Sequence, residues 1–262
     1  MVFFQDITKK WPVLWALARR EIRQQYIGST LGIVWQVITP LVLICVFWVV
    51  FSLGFRVQPE SGVPFAVWLT AGFAAWFAFS EMVSGSVHCI TGNPHLVKKV
   101  VFPIQALPIV KILVAASNHI LFLLILMALM IFQNIPITAF AFQGLYYFVC
   151  MVILGLGLGW VIAALNVFSR DTARLVGVAL QVGMWGTPIL WDLKILPEPY
   201  QTWFSYNPMH YIVQGYRDSF LYSTPVSARV DETILFWVIT GAIFLLGIAI
   251  FKRLKPQFAD LV

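Results

Sequence analysis

From Arg23 to Arg56 no residue carries a charge, and that interval exceeds the roughly 20 apolar residues with which a helix crosses a bilayer. Uncharged intervals also separate Glu60 from Glu81, Lys111 from Arg170, Arg174 from Asp192 and Glu232 from Lys252. Only 11% of the 262 residues are charged and 60% are apolar, whereas a soluble domain carries about 25% charged residues. The chain is expected to live in a membrane. Gln133, Asn134 and Pro136, with Gln143 and Gly144, break the longest interval in two. Six spans follow: Leu31 to Phe55, Phe65 to Ile90, Ile112 to Phe132, Gly144 to Phe168, Leu175 to Trp191 and Thr233 to Phe251.

An even number of spans places both termini on one side, and Lys and Arg concentrate in cytoplasmic loops. Of the 17 Lys and Arg, only Arg56, Lys194, Arg217 and Arg229 fall on the side opposite the termini. Both termini are therefore expected in the cytoplasm, and the net charge of +6 is a topology signal rather than a nucleic-acid footprint. Cys45, Cys89 and Cys150 fall in or beside spans and are expected to pack rather than pair. Asp6, Lys9, Lys10 and Pro12 precede any apolar core, so no cleavable signal is expected and the first span inserts the chain.

Between the spans three segments are patterned. From Thr8 to Tyr26, Trp11, Leu14, Trp15, Ala18, Ile22 and Tyr26 recur at helical spacing, with Lys9, Arg19, Arg20 and Arg23 on the other arc. This predicts an amphipathic helix in the cytoplasmic interface, either a plain anchor or a brace for a partner. In TGNPHLVKKVVFP, Thr91 to Pro103, Asn93 and Pro94 suit a helix start, so a helix of one or two turns carrying Leu96, Val97, Lys98 and Lys99 is expected at the inner face. Outside, Tyr200 to Tyr222 is too aromatic for a solvated loop. Met209, Ile212, Val213, Tyr216 and Phe220 form a helical stripe there, which predicts two short helices, divided at Asn207 and Pro208, dipping into the outer interface.

Chemical motifs are sparse. No GxxxxGK[ST] loop is present to cradle phosphates. Gly155, Gly157 and Gly159 lie mid-span, where small residues let helices approach. His88, His95, His119 and His210 lack metal-ligand spacing, and no GxSxG elbow occurs, so neither a metal nor a catalytic residue is assigned. Glu81 is the one acid well inside a span; it is either a functional group or a polar contact between helices, with Lys111 as a partner if the register allows. Arg170, Asp171 and Arg174 form RDxxR at a tight cytoplasmic turn, as interface anchors with a helix cap or as a gate that meets phosphate. Phe47, Trp48, Phe51, Trp76, Phe77, Phe79, Trp185 and Trp191 exceed what two interfacial belts need. They serve lipid and core contact, or line a path on which sugar rings stack and slide. From the residues alone a transport subunit, an ion-coupled secondary transporter and a membrane enzyme on a lipid-linked sugar stay open; the second needs repeated halves and polar midplane sites, the third a catalytic cluster.

Taken in order, REIRQQYIGSTLGIVWQVITPL, GFAAWFAF, GNPHLVKKVVFPIQALP, FSRDTARLV, TPILW, LPEPYQTWFSYNP and Arg217 carry a resemblance over nearly the whole chain. The sequence resembles the permease subunits of ABC exporters for O-antigen, capsular polysaccharide and teichoic acid, the Wzm/TagG-like group. It departs from that group at Thr187-Pro188, where Ser-Pro is usual, and at the WDLK that follows. The resemblance implies an all-α integral membrane protein of six transmembrane helices in a single membrane domain over 1-262. Within it stand an amphipathic interface helix (8-27), the transmembrane domain (30-254), a coupling-helix loop (92-103) and two external re-entrant helices (196-222). Two copies would form the channel in the bacterial inner membrane and two copies of a separate P-loop ATPase would drive it, with ATP and Mg on that partner and no cofactor here. Asn93, Leu96, Lys98, Lys99, Arg19 and Arg23 would contact the ATPase. Arg170, Arg174 and Lys111 would meet the diphosphate of a polyprenyl-linked polysaccharide at the inner gate. Trp48, Phe51, Trp76, Phe77, Trp185, Trp191 and Tyr206 would line the glycan path.

Overall fold

The computed structural model describes residues 10–25, 27–56, 59, 62–99 and 102–262. Thr8, Lys9 and Tyr26 of the expected interface helix, and Val100 and Val101 of the cytoplasmic loop, lie outside the described residues. Among the described residues every regular element is helical. An amphipathic helix, α1 (Trp11–Gln24), leads through a turn at Gly28 and Gly32, both with positive φ, into a short 3₁₀ turn and α2 (Trp35–Trp48). At 84° and 52° those φ values suit glycine, which has no Cβ to clash. Pro40 sits inside α2, and a π turn (Val49–Gly54) extends it.

Next come α3 (Phe65–Val87), the single-turn α4 (Pro94–Val97), α5 (Leu107–Phe132), α6 (Gln143–Phe168) and α7 (Asp171–Gly186). Two short helices, α8 (Glu198–Ser205) and α9 (Pro208–Arg217), precede the long α10 (Val230–Leu254) and the terminal α11 (Phe258–Leu261). Five helical segments are long and apolar enough to cross a membrane: Trp35–Gly54, Phe65–Val87, Ile104–Phe132, Ala139–Phe168 and Val226–Leu261. The protein is an integral membrane protein. The fifth expected span, Leu175 to Trp191, corresponds to α7, which starts four residues earlier at Asp171 and ends at Gly186; its 16 residues fall outside that set of five.

Burial identifies the centre of the bundle. In α3, 78% of the most apolar window is buried, against 11% in the α2 segment. Trp68, Phe73, Met82 and their neighbours on α3 pack against α5, α6 and α9. Along α6 the glycines face two ways. Gly155 and Gly159 receive Met82 and Ser86 of α3, and Gly157 lies against the backbone of Phe244 on α10. A Cβ on Gly159 would stand 2.8 Å from Ser86 Oγ, and one on Gly157 2.9 Å from Phe244 Cα, so side chains there would push the helices apart.

Candidate functional site

At one end of the bundle, α1 lays Leu14 and Ala18, both fully buried, on Ala106, Val110 and Val114 at the start of α5. An ion pair reinforces the seam: Lys111 Nζ donates to Glu21 Oε2 at 2.6 Å. Lys111 lies within α5 rather than in the loop before it, because Pro108 in the first turn lets the helix begin at Leu107, five residues ahead of the expected Ile112. Its stem runs over Gly85 of α3, which has no side chain to obstruct it. Glu81 therefore does not take Lys111 as its partner. Glu81 Oε1 accepts from Asn118 Nδ2 at 2.6 Å, and Asn118 Oδ1 accepts from Gln36 Nε2, a polar chain joining α3, α5 and α2. Arg19 packs on the ring of Trp15, and Arg23 lies in the last turn of α1.

Beside this seam projects α4. Asn93 stands at its N-cap position, yet its side chain turns back and donates to Cys89 O at 3.0 Å rather than capping the turn. One face of the turn is fixed, since Val97 is buried with Cys89, Ile90, Trp160, Phe251 and Phe258. Its other face is open: Lys98 and Lys99 are exposed and Leu96 is half-buried. Behind it Gln105 ties three elements, its carbonyl accepting from Trp160 Nε1 and its side-chain oxygen from Lys255 Nζ, both at 2.9 Å. Val97 of α4 is thus seated among side chains of α5, α6, α10, α11 and the segment that follows α3.

Arg170 and Arg174 are exposed at the turn into α7. Arg174 pairs with Asp171 at 3.2 Å, with side chains 87% and 73% exposed, a solvated contact of little structural weight. Asp171 opens the helix without a side-chain cap, and its charge lies at the positive end of α7. These arginines lie at the turn into α7, whereas Lys111 lies in the seam between α1 and α5.

The aromatic residues divide by burial. Trp48, Trp185 and Tyr206 are exposed. Trp76 is only 4% exposed, because its ring lies against Gly183 of α7. Phe51 and Phe77 are half-buried on the core, Phe77 stacking on Phe122. Trp191 meets Phe204 edge-on and donates to Trp185 O at 3.1 Å. Phe77 also borders a cavity of ≈ 460 Å³ between α2, α3 and α5, which holds Glu81, Asn118 and Gln36. Leu175, Val178, Val182 and Trp185 leave an apolar stripe bare along α7.

At the opposite end, α9 is locked into the bundle. Asn207 caps it by accepting from Met209 N at 2.9 Å, and Met209, Ile212, Val213, Tyr216 and Phe220 are all buried, as their spacing predicts. Tyr216 OH donates to His119 Nε2 at 2.9 Å when His119 donates from Nδ1 to Ala74 O at 3.1 Å, which fixes the neutral tautomer and ties α9 to α5 and α3. Arg217, 2% exposed, donates to Pro188 O and Ile189 O at 2.8 and 3.0 Å and stacks over Trp68 at 3.5 Å. In the sequence Arg217 stands out only as one of four basic residues opposite the termini and as part of the resemblance; nothing in its spacing announces a buried cation that holds the chain after α7.

A helical bundle with an amphipathic N-terminal helix, a short turn backed by buried side chains and two short packed helices before the last long one is that of a polytopic membrane protein. A family model, the ABC-2 type transporter, matches residues 12–221. The chain belongs to the ABC-2 type transporter family. It is 26% identical to the O-antigen export system permease protein RfbA of Klebsiella pneumoniae over 252 residues, which is 95% of each chain. The RfbA permease of Myxococcus xanthus is 25% identical, covering 95% of this chain and 94% of its own. The polysialic acid transport protein KpsM of Escherichia coli is 25% identical over 78% of this chain and 79% of its own.

Proposed function

We propose that the chain is the permease subunit of an ATP-driven exporter that carries a polyprenyl-diphosphate-linked polysaccharide across the bacterial cytoplasmic membrane. The observation that carries this reading is the stiff inner face: α4, with exposed Lys98 and Lys99, rests on a buried plug of four other helices, beside α1. Such a turn transmits motion from a docked partner into the bundle instead of absorbing it. A separate P-loop ATPase, holding ATP and Mg, binds there through Asn93, Leu96, Lys98, Lys99, Arg19 and Arg23. That the RfbA and KpsM relatives are named for O-antigen export and polysialic acid transport supports a surface glycan as cargo.

In this reading α7 is the fifth of six spans. At about 1.5 Å per residue its 16 residues reach about 24 Å, and Thr187 to Trp191 complete the crossing. Both termini are cytoplasmic, as the bias of Lys and Arg favours. Two copies pair so that the exposed faces of α2 and α7 enclose the path, where Trp48, Phe51, Phe77, Trp185, Trp191 and Tyr206 meet sugar rings. Trp76 of α3 joins them when α7 moves its Gly183 off the Trp76 ring. Arg170, Arg174 and Lys111 attract the diphosphate at the inner gate.

The test is purification of the tagged chain in mild detergent with identification of what accompanies it. A stoichiometric P-loop ATPase is expected, and reversal of Lys98 and Lys99 to Glu is expected to release it without loss of membrane insertion. Copurification without an ATPase, or normal export by the reversed chain, contradicts the docking surface.

A further inference from the structure

Outside the bundle, between α8, α9 and the start of α10, lies a cavity of ≈ 820 Å³, within the roughly 300–1,000 Å³ of small-ligand sites. Three of its lining side chains bury a polar atom without a hydrogen-bond partner: His210 at Nδ1, Arg217 at Nε and Glu232 at Oε2. His210 and Arg217 are 7% and 2% exposed. Unpaired buried polar groups are few in folded proteins, and of the five such side-chain atoms among the described residues three gather around this one cavity.

The neighbours are held in place. Asp218 accepts from Arg229 Nε at 2.7 Å and from Gln214 Nε2 at 3.1 Å, and Arg229 reaches Glu232 at 3.0 Å. Arg217 is fixed by Pro188, Ile189 and Trp68. The wall is therefore preorganised and its free atoms have set positions.

Charge narrows the ligand. Four carboxylates, of Asp192, Glu198, Asp218 and Glu232, face three cations, of Lys194, Arg217 and Arg229. A phosphate or sulfate would meet more negative than positive charge, and for a free cation Asp218 and Glu232 are already paired with Arg229 while, among the described residues, no three acids, histidines or cysteines are grouped to hold a metal ion. A neutral polyhydroxyl fits: each hydroxyl both donates and accepts, so it satisfies Glu232 Oε2 and Arg217 Nε alike, and His210 in either tautomer. The shared wall helix supports this. While Glu198, Gln201 and Thr202 of α8 face the polar cavity, Tyr200, Trp203 and Phe204 line a second cavity of ≈ 310 Å³ at its other side. Trp203 is 78% exposed there, a ring face open to the C–H face of a sugar.

We propose that this outer cavity is a saccharide-binding site for a short, uncharged stretch of the exported glycan as it leaves the bundle. The site holds one or two sugar units by hydroxyl contacts to His210, Arg217 and Glu232, with the next units on the aromatic side of α8. It rests on the export reading for the source of the sugar, but not for its chemistry.

The test uses the full chain in lipid nanodiscs, read by saturation-transfer NMR. The probes are lipid-free oligosaccharides released by mild acid from the source strain's own surface polysaccharide, with maltotriose as an unrelated sugar and inorganic phosphate as an anion. The strain's oligosaccharide is expected to bind saturably in the low millimolar range, unaffected by phosphate. Glu232→Gln with Gln201→Ala is expected to weaken it at least tenfold while the melting temperature holds; Gln201→Ala alone, at a half-buried position, serves if the double variant fails to fold and is expected to weaken binding severalfold. The proposal is overturned if no oligosaccharide binds to folded chain, if phosphate competes, if only maltotriose binds, or if the folded variants bind as the wild type does, the last meaning that the three atoms are simply hydrated. Loss of surface glycan on deletion and copurification of the ATPase are independent of these results, so failure of the site and failure of the export reading are told apart.

Discussion

Lys111 and Glu21 meet at 2.6 Å, and this pair joins the interface helix α1 to the inner end of α5 across 90 residues of sequence. Because the side chains are 22% and 25% exposed, solvent screens the pair and its weight in stability is modest, about 1 kcal/mol or less. Its geometry matters more, since among the described residues it is the ion pair on a seam otherwise made of Leu14, Ala18, Ala106, Val110 and Val114. Glu21→Gln is expected to leave insertion unchanged and to lower ATP-driven export severalfold. Exchange of the charges, Glu21→Lys with Lys111→Glu, is expected to restore most of it, measured as surface glycan per cell. Failure of the exchange to restore export removes the pair from the coupling path.

Arg217 anchors the outer helices by two carbonyl contacts and the ring of Trp68. Burial pulls its pKa down to about 9, so it stays charged at neutral pH. Arg217→Met strands the carbonyls of Pro188 and Ile189 and leaves buried Asp218 with less positive charge nearby. A loss of about 2–5 kcal/mol is expected, seen as a lower melting temperature and as protease sensitivity between α7 and α9. Arg217→Lys restores the charge but not the forked geometry, and is expected to recover less than half.

Where α6 and α10 touch, Gly247 sits on the backbone of Gly157. Gly247→Ala places a methyl group against that carbonyl and is expected to cost about 1–3 kcal/mol by forcing the helices apart. Gly241 lies on the same helix with open space where its side chain would be. Gly241→Ala is expected to be neutral or stabilising by up to about 1 kcal/mol, so the two variants separate contact from propensity in one thermal-melting series.

His210 is buried neutral, its pKa lowered to about 4 chiefly by burial and secondarily by Arg217 and Arg229. An unfolded His titrates near 6.5, so between these values the unfolded chain binds more protons and stability falls with falling pH. The contribution is full above about pH 6.5 and is lost progressively down to pH 4, by about 2 kcal/mol at pH 5. His210→Gln is expected to flatten that part of the pH dependence of melting. An unchanged slope would place the titration elsewhere.

Much of this architecture is written in local pattern. The stripe from Met209 to Phe220 is buried as its spacing requires, and the glycines of α6 serve close packing, because both signals depend only on helical periodicity and side-chain size. Boundaries fared less well where charge was read as loop. Lys111 marks the second turn of a helix, since Glu21, far away in sequence, neutralises it. Asp171 opens α7, where the helix-cap reading of RDxxR puts it, although its side chain makes no cap and the apolar stretch begins only four residues later. The partner of Glu81 was not legible, as it depends on the register between α3 and α5 that brings Asn118 alongside. Nor was the outer cavity, whose walls come from four separate stretches of chain that only the fold assembles.

The central claim is export of a lipid-linked glycan, and deletion of the chain followed by fractionation of the polysaccharide tests it most directly. Surface glycan is expected to disappear while polyprenyl-diphosphate-linked polymer accumulates on the cytoplasmic side, and both are expected to return with the wild-type chain. Undiminished surface glycan in the deletion strain, without internal polymer, would contradict the account.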